Sequence, residues 1–231
     1  MGEVLQIDQP CPIKLECPGG VHAPGPSSLD LIRYLFSVKG KSVLDLGCGT
    51  GLFAIAAAKL GAREVWASDI DPQAVECTRR NAEINQVKVL AKTGDLFDPV
   101  RGRPFDLIIT NPPQTPAPPE ARGPKFGGPD GLAFFETILS EAPKHLEDGG
   151  QLLTFLISLA DTKRFEAMLG ERFRFRPLPK ARREFTREEY DGYWPGLFDY
   201  LSERRARGLA EFEEENGRTA FSVRYYMAMK K

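Results

Sequence analysis

Ser42 to Ala58, SVLDLGCGTGLFAIAAA, is the stretch whose reading decides the fold. A short apolar run, Val43, Leu44 and Leu46, carries one acid, Asp45, and breaks into Gly47-Cys48-Gly49-Thr50-Gly51. An Ala-rich segment of high helix propensity follows. Strand, tight glycine turn and helix make the first half of a βαβ unit. Gly47 and Gly49 allow a sharp turn and a close approach to a ligand, and Gly51 lets the helix start lie close. The helix N-terminus offers unpaired N–H groups to an anionic group.

The spacing is D-x-G-x-G-x-G, and Leu52 stands where the dinucleotide fingerprint would place its third glycine. That departure disfavours NAD or FAD. The pattern instead resembles the first motif of the class I S-adenosylmethionine (SAM) dependent methyltransferases.

Outward from this stretch, strand and helix alternate. Strands are predicted at 42–46, 64–68, 88–90, 105–110, 151–157 and 173–178, with a closing strand at 219–229. Helices are predicted at 29–36 (Ser27 or Ser28 as N-cap), 52–60, 73–85, 132–140 and 161–169, and an amphipathic one at 197–215. Asp71, before Pro72, reads as the cap of the third. Glu147-Asp148-Gly149-Gly150 reads as a turn, and residues 1–28 as a Pro- and Gly-rich arm with a small hairpin near Ile13 and Leu15. Alternation of this kind predicts an α/β fold, a mostly parallel sheet with helices on both faces, whose ligands bind at the carboxyl ends of the strands. Asp45 with its glycines, Asp69, Asp95 and Asn111 all fall at such ends.

At 231 residues the chain suits one well-buried domain, divided as arm and helix 1–40, core 41–180, helical and aromatic insert 181–218 and closing strand 219–231. A formal charge of −1 gives no global case for a nucleic-acid or membrane partner. No run reaches bilayer-spanning length and the N-terminus lacks a leader pattern, so a cytoplasmic protein is expected. Cys11, Cys17, Cys48 and Cys77 lack metal-site spacing and read as free thiols.

Asp69, 24 positions after Asp45, suits hydrogen bonds from both ribose hydroxyls of a nucleoside. Asn111-Pro112-Pro113-Gln114 cannot extend a strand, because proline lacks the N–H and fixes φ. It presents carbonyls and an amide suited to hold the N–H of a planar amide or amine, so that the nitrogen lone pair faces a methyl donor. Residues 112–128 form a long Pro- and Gly-rich loop that reads as a lid. His22 is a candidate substrate contact, and His145 reads as a surface or capping residue.

VLDLGCGTG, SDIDPQAVECTRRNAEIN, GDLF, FDLIITNPP and FGGPDGLAFFETIL with LEDGGQLL together resemble the methyltransferase small domain group, and most the HemK/PrmC glutamine N5-methyltransferases. The resemblance covers residues 20–157. It implies a seven-stranded Rossmann-like sheet, six strands parallel and one antiparallel, and SAM as cofactor. It implies cofactor contacts from Asp45, Gly47, Cys48, Gly49, Gly51, Asp69, Ile70, Asp95, Leu96 and Asn111, with Asp95 reading the adenine amino group. Catalysis would fall to Asn111, Pro112, Pro113 and Gln114. Apart from the resemblance, His22 in the pre-core segment and Tyr193 and Trp194 in the aromatic insert are candidate substrate contacts. The family signature ends in an aromatic where this chain has Gln114, which takes away a stacking surface. The expected acceptor is a nitrogen of a small molecule or protein side chain. The alternatives are a nucleic-acid base, or a non-catalytic SAM-binding subunit, with a partner subunit or homodimer allowed.

Overall fold

In a computed structural model the described residues are 3–35, 37–215 and 218–231. They divide into two compact units, residues 1–111 with 141–154 and 230, and residues 112–140 with 155–229 and 231.

The first unit opens with an antiparallel hairpin, β1 (Glu3–Ile7) and β2 (Ile13–Cys17). Helix α1 (Pro26–Leu31) follows and ends in a 3-10 turn, Ile32–Tyr34. The helix starts earlier than residue 29, because Pro26 takes its first turn and Gly25, not Ser27 or Ser28, is the cap. Phe36, the expected helix end, lies outside the described residues. Then come β3 (Ser42–Leu46), α2 (Leu52–Lys59), β4 (Glu64–Asp69), α3 (Pro72–Ile84), β5 (Leu90–Thr93), β6 (Phe105–Thr110) and β7 (Leu146–Ile157). Their order is β7-β6-β3-β4-β5, every pair parallel. β3 lies in the middle and all five of its residues are buried. β5 begins two residues later than expected. The Glu147–Gly150 segment is not a free turn but an irregularity inside β7, where Phe105 pairs Leu146 and Leu107 pairs Gln151. His145 is buried and stacked on Phe97 at 4.7 Å, which overturns its surface assignment.

The hairpin is tied to α3 by two asparagines one helical turn apart. Asn81 Oδ1 accepts the Glu16 N–H (2.8 Å), and its Nδ2 donates to the Glu16 and Thr50 carbonyls (2.9 and 3.0 Å). Asn85 holds Lys14 in the same way. Four residues of helix rise about 6 Å and two residues of strand about 6.6 Å, so i, i+4 side chains meet alternate strand residues.

The second unit holds α4 (Ala133–Glu141), the end of β7, α5 (Thr162–Arg172), β8 (Phe173–Pro177), β9 (Ala181–Phe185), α6 (Arg187–Tyr193), α7 (Leu197–Ala206), β10 (Phe212–Glu215) and β11 (Arg218–Lys230). β9 and β10 run antiparallel to β11, and β8 also pairs it. With five parallel strands in one unit and four around β11 in the other, the strands outnumber the seven expected. The excess is β9 and β10. The expected helix at 197–215 stops early because Gly208, at φ +70°, closes α7, with Gly208 and Leu209 N–H bonding the Arg205 and Arg204 carbonyls. No helix among the described residues is long and apolar enough to cross a membrane.

Asp45 joins sheet to helix. Its Oδ2 accepts the Ala54 N–H at 2.9 Å, satisfying one orphan donor of the first turn of α2, whose cap residue Gly51 has no side chain to do so. Burial pushes its carboxyl up to about 8, against the opposing effect of that hydrogen bond.

Two stability tests follow from these contacts. The folded carboxyl of Asp45 holds its proton over a pH range in which the unfolded chain has lost it. The Asp45 contribution to stability therefore falls as pH rises from 4 to 8, by up to about 1.4 kcal/mol per pH unit, and levels off above the folded pKa. Urea unfolding of Asp45→Asn at several pH values is expected to lack that slope. Asn81→Ala strands the Glu16 and Thr50 backbone groups and is expected to cost about 3 kcal/mol. Arg80→Ala removes only an exposed ion pair with Glu16 (2.8 Å) and should cost less than about 1 kcal/mol in the same assay.

Candidate active site

In the first unit the carboxyl ends of β3, β4, β5 and β6 carry the polar residues singled out by the sequence. The glycine turn is built on β4: Gly47 and Cys48 N–H donate to the Ser68 carbonyl (2.8 and 3.0 Å). Gly49 N–H donates to Asp69 Oδ2 at 2.9 Å. Gly51 has φ +82° and leaves no room for a Cβ, which would stand 2.9 Å from Thr78 Cγ2. Thr78 Oγ1 lies within hydrogen-bond reach of Cys48 Sγ (3.2 Å) and the Gly49 carbonyl (3.1 Å). Burial holds the Cys48 thiol well above its ordinary pKa, so it is inert.

Asp69 Oδ1 accepts the Asp71 N–H at 3.0 Å, and Asp71 Oδ1 caps α3 at Gln73, as expected. Each Asp69 oxygen thus has one backbone donor and one further lone pair. The next loop is tied in by Gly94 N–H to the Asp69 carbonyl (2.9 Å) and Ser68 Oγ–H to the Leu96 carbonyl (3.1 Å). Leu96 has φ +41°, a left-handed conformation uncommon for a leucine. Ile70 is 69% exposed, an aliphatic side chain presented at the sheet edge beside Asp69. The Asp95 carboxylate is also exposed. The carbonyl of His22 lies 3.9 Å from where a Gly49 Cβ would stand, so the pre-core segment reaches the glycine turn.

Two buried threonines lock the strand ends. Thr110 Oγ1 donates to the Leu46 carbonyl and Thr154 Oγ1 to the Thr110 carbonyl, both at 2.9 Å. The next residue, Asn111, donates from Nδ2 to the buried Ser28 Oγ at 3.0 Å. Ser28 lies inside α1 and is bonded to Asn111 rather than capping the helix. Its partner lies 83 positions away, and no local pattern signals the pairing.

The second unit contains the rest of the Asn-Pro-Pro-Gln turn. Gln114 is buried, with 5% exposure. Its Oε1 accepts the Ile157 N–H at 2.8 Å, and its Nε2 donates to the Phe155 carbonyl at 3.3 Å. The side-chain amide thus pairs with the end of β7 as a peptide group would. The loop beyond it is closed by Gln114 and Thr115 N–H to the Lys125 carbonyl and by Gly127 N–H to the Thr115 carbonyl. Gly127 passes so close that a Cβ would stand 2.7 Å from the Pro113 carbonyl. Further on, the Pro129 carbonyl accepts Tyr200 Oη–H and Arg204 Nη1–H, both at 2.8 Å. Tyr193 meets this loop through Lys125, whose ammonium lies 3.8 Å from the ring centroid. Trp194 follows α6, and its backbone N–H caps that helix on the Tyr190 carbonyl. Among the described residues no group of three His, Cys, Asp or Glu side chains is placed to hold a metal ion.

Comparison with known proteins fits this geometry. Residues 26–186 match the model of the family described as the methyltransferase small domain. A Methanocaldococcus jannaschii protein, provisionally named a protein N5-glutamine methyltransferase, is 36% identical over 157 residues, covering 65% of this chain and 79% of that one. A release factor glutamine methyltransferase of Geobacter sulfurreducens is 39% identical over 134 residues, 52% of this chain and 47% of its own length. In fold, the chain is similar to the T. Thermophilus 16S rRNA N2 G1207 methyltransferase in complex with AdoMet and guanosine. The TM-score is 0.67 at 21% identity, over 100% of this chain and 50% of that one. The chain belongs to the methyltransferase small domain family, and it is an S-adenosylmethionine-dependent methyltransferase.

Proposed function

We propose that the chain methylates a nitrogen held at the Asn111-Pro112-Pro113 turn, on a protein side chain or a small molecule. A glutamine amide is the acceptor that the relatives' names suggest. The observation that carries this reading is the Asn111 side chain, anchored by Ser28 and followed by two prolines at the carboxyl end of β6.

The residues present fit the cofactor. Asp45 Oδ1 is buried and, among the described residues, has no hydrogen-bond partner, an acceptor that suits an ammonium group. Asp69 keeps one lone pair on each oxygen for the two ribose hydroxyls, and exposed Ile70 offers an apolar face to a purine. The adenine amino group falls to Asp95. When bound, SAM supplies an electrophilic methyl group on a sulfonium sulfur.

The chain's own part is placement. Carbonyl and amide oxygens of the turn accept the acceptor's N–H groups and aim its lone pair, and they stabilise positive charge developing on that nitrogen. Fixing both reactants is worth several kcal/mol of barrier. No strongly basic side chain is needed at the turn. Gln114 does not replace the family's aromatic as a substrate contact. Its amide is engaged by β7, so its role is to hold the turn. That structural use accounts for the departure from the family signature without loss of catalysis, which weighs against a non-catalytic subunit.

Incubation with methyl-labelled SAM and fractionated cell extract tests the reading. Label is expected in the protein or small-molecule pool. Asn111→Ala is expected to bind SAM within about threefold of wild type by calorimetry yet lose at least about 100-fold in kcat. Asp69→Ala is expected to lose SAM binding itself. Unchanged turnover in Asn111→Ala would remove the turn from the mechanism. Gln114→Glu, which can accept from Ile157 but not donate to Phe155, is expected to lower kcat about tenfold and the melting temperature by a few degrees. Its SAM affinity should stay near wild type.

A further inference from the structure

The chain is close to neutral overall, yet residues 172–183 hold Arg172, Arg174, Arg176, Lys180, Arg182 and Arg183 and not one acid. β8 and β9 lie in succession along β11. β9 pairs residues 219–223, Leu178 N–H donates to the Tyr225 carbonyl, and Lys231 N–H donates to the Arg172 carbonyl. The chain from 185 back to 172 therefore follows β11 from 219 to 231 as one extended edge. Alternation sets its faces. Phe173 and Phe185 are buried, whereas Arg174, Arg176, Lys180 and Arg182 are all exposed.

Among the described residues, Arg174, Arg176 and Lys180 have no carboxylate within ion-pair distance. Arg182 is the one member of the row paired, to Glu184 (3.0 Å) and Glu213 (3.7 Å). At its Lys180–Arg182 end the row meets a cavity of about 480 Å³, also lined by Arg205, Phe212, Phe221 and the acids Glu211 and Glu213. The Arg205 guanidinium lies over the Phe212 ring at 4.7 Å.

We propose that this edge is a docking surface for a nucleic-acid strand, with the sugar-phosphate chain along the Arg174–Arg176–Lys180–Arg182 row and a base at the adjoining cavity. Its charges fall on every second residue, about 6.6 Å apart in extended chain, apart from the gap at Leu178 between Arg176 and Lys180. Such a repeat answers a partner that carries a charge on every unit. A lone phosphate or carboxylate would instead need donors converging on one point. The cavity is large enough for a nucleobase, and a guanidinium plane set on an aromatic ring is a surface on which bases stack. An acidic peptide would need neither the even repeat nor the stacking surface. Charged residues and prolines also protect a sheet edge from pairing with another chain, but acids serve that purpose as well as bases. Edge protection therefore does not explain a run of six cations without an acid. The proposal concerns docking alone and does not rest on the nitrogen-acceptor reading.

The test is fluorescence anisotropy with a labelled mixed-sequence single-stranded RNA of about 20 nucleotides and the DNA of the same sequence, without SAM, across a salt series. Wild type is expected to bind with a slope of log K against log salt of about −3, as four phosphate contacts give. Arg174→Thr/Arg176→Thr/Lys180→Gln is expected to weaken binding at least tenfold and bring the slope to about −1. Arg174→Lys/Arg176→Lys, which keeps the charge, should keep the slope. Equal binding of the DNA supports recognition of the backbone. The proposal is overturned if wild type binds neither strand, if the neutralised variant keeps both affinity and slope while melting like wild type, or if polyglutamate of equal charge displaces the RNA. Self-association of the neutralised variant, with no nucleic-acid binding by wild type, would assign the row to edge protection instead.

Discussion

One buried carboxyl group, Asp45, sets the geometry of the cofactor side. It sits at the end of the central strand of the parallel set, wholly out of solvent, and it spends one oxygen on the first turn of α2. That bond fixes where the helix begins, and the glycine turn must close the short span between strand and helix. Gly47, Gly49 and Gly51 all take positive φ to do so. The same turn is then pinned from the other side by Asp69 at the end of β4. Two acids on adjacent strands thus hold one loop between them. Each keeps acceptor capacity in reserve, and on Asp45, which is fully buried, a fold built for stability alone would not retain it.

The parallel core was legible because each of its strands reads as a short apolar run ended by glycine, aspartate or proline. Burial on both faces makes such runs continuous, as in β3. The edge strands were not legible for the converse reason. β9 reads Ala-Arg-Arg-Glu-Phe, and half of its residues face water, so its charge hides its strand character. β10, Phe-Glu-Glu-Glu, was absorbed into a helix whose true stop, Gly208, was passed over. His145 was misplaced because its burial depends on Phe97, 48 positions earlier, which offers its ring face at 4.7 Å.

The site divides in the same way. Asp45, Asp69, Asp95 and Asn111 stand out in the sequence because strand ends in a parallel sheet gather polar residues at one edge, a rule that needs only the alternation of elements. The bond from Asn111 to Ser28 does not stand out, since it joins segments far apart in sequence. The asparagines that dock the hairpin, Asn81 and Asn85, were hidden likewise: on α3 they look like ordinary polar helix residues.

Gln114 shows how a motif can break without its geometry breaking. A Gln amide accepts an N–H at its oxygen and donates one from its nitrogen, which matches the N–H of Ile157 and the carbonyl of Phe155 at the end of β7. An aromatic at this position could stack on a planar acceptor but could not make that pair of bonds. In the second unit the Gln114 amide therefore acts as a backbone-like clamp on the end of β7. A turn held this firmly leaves less to be ordered when the acceptor arrives.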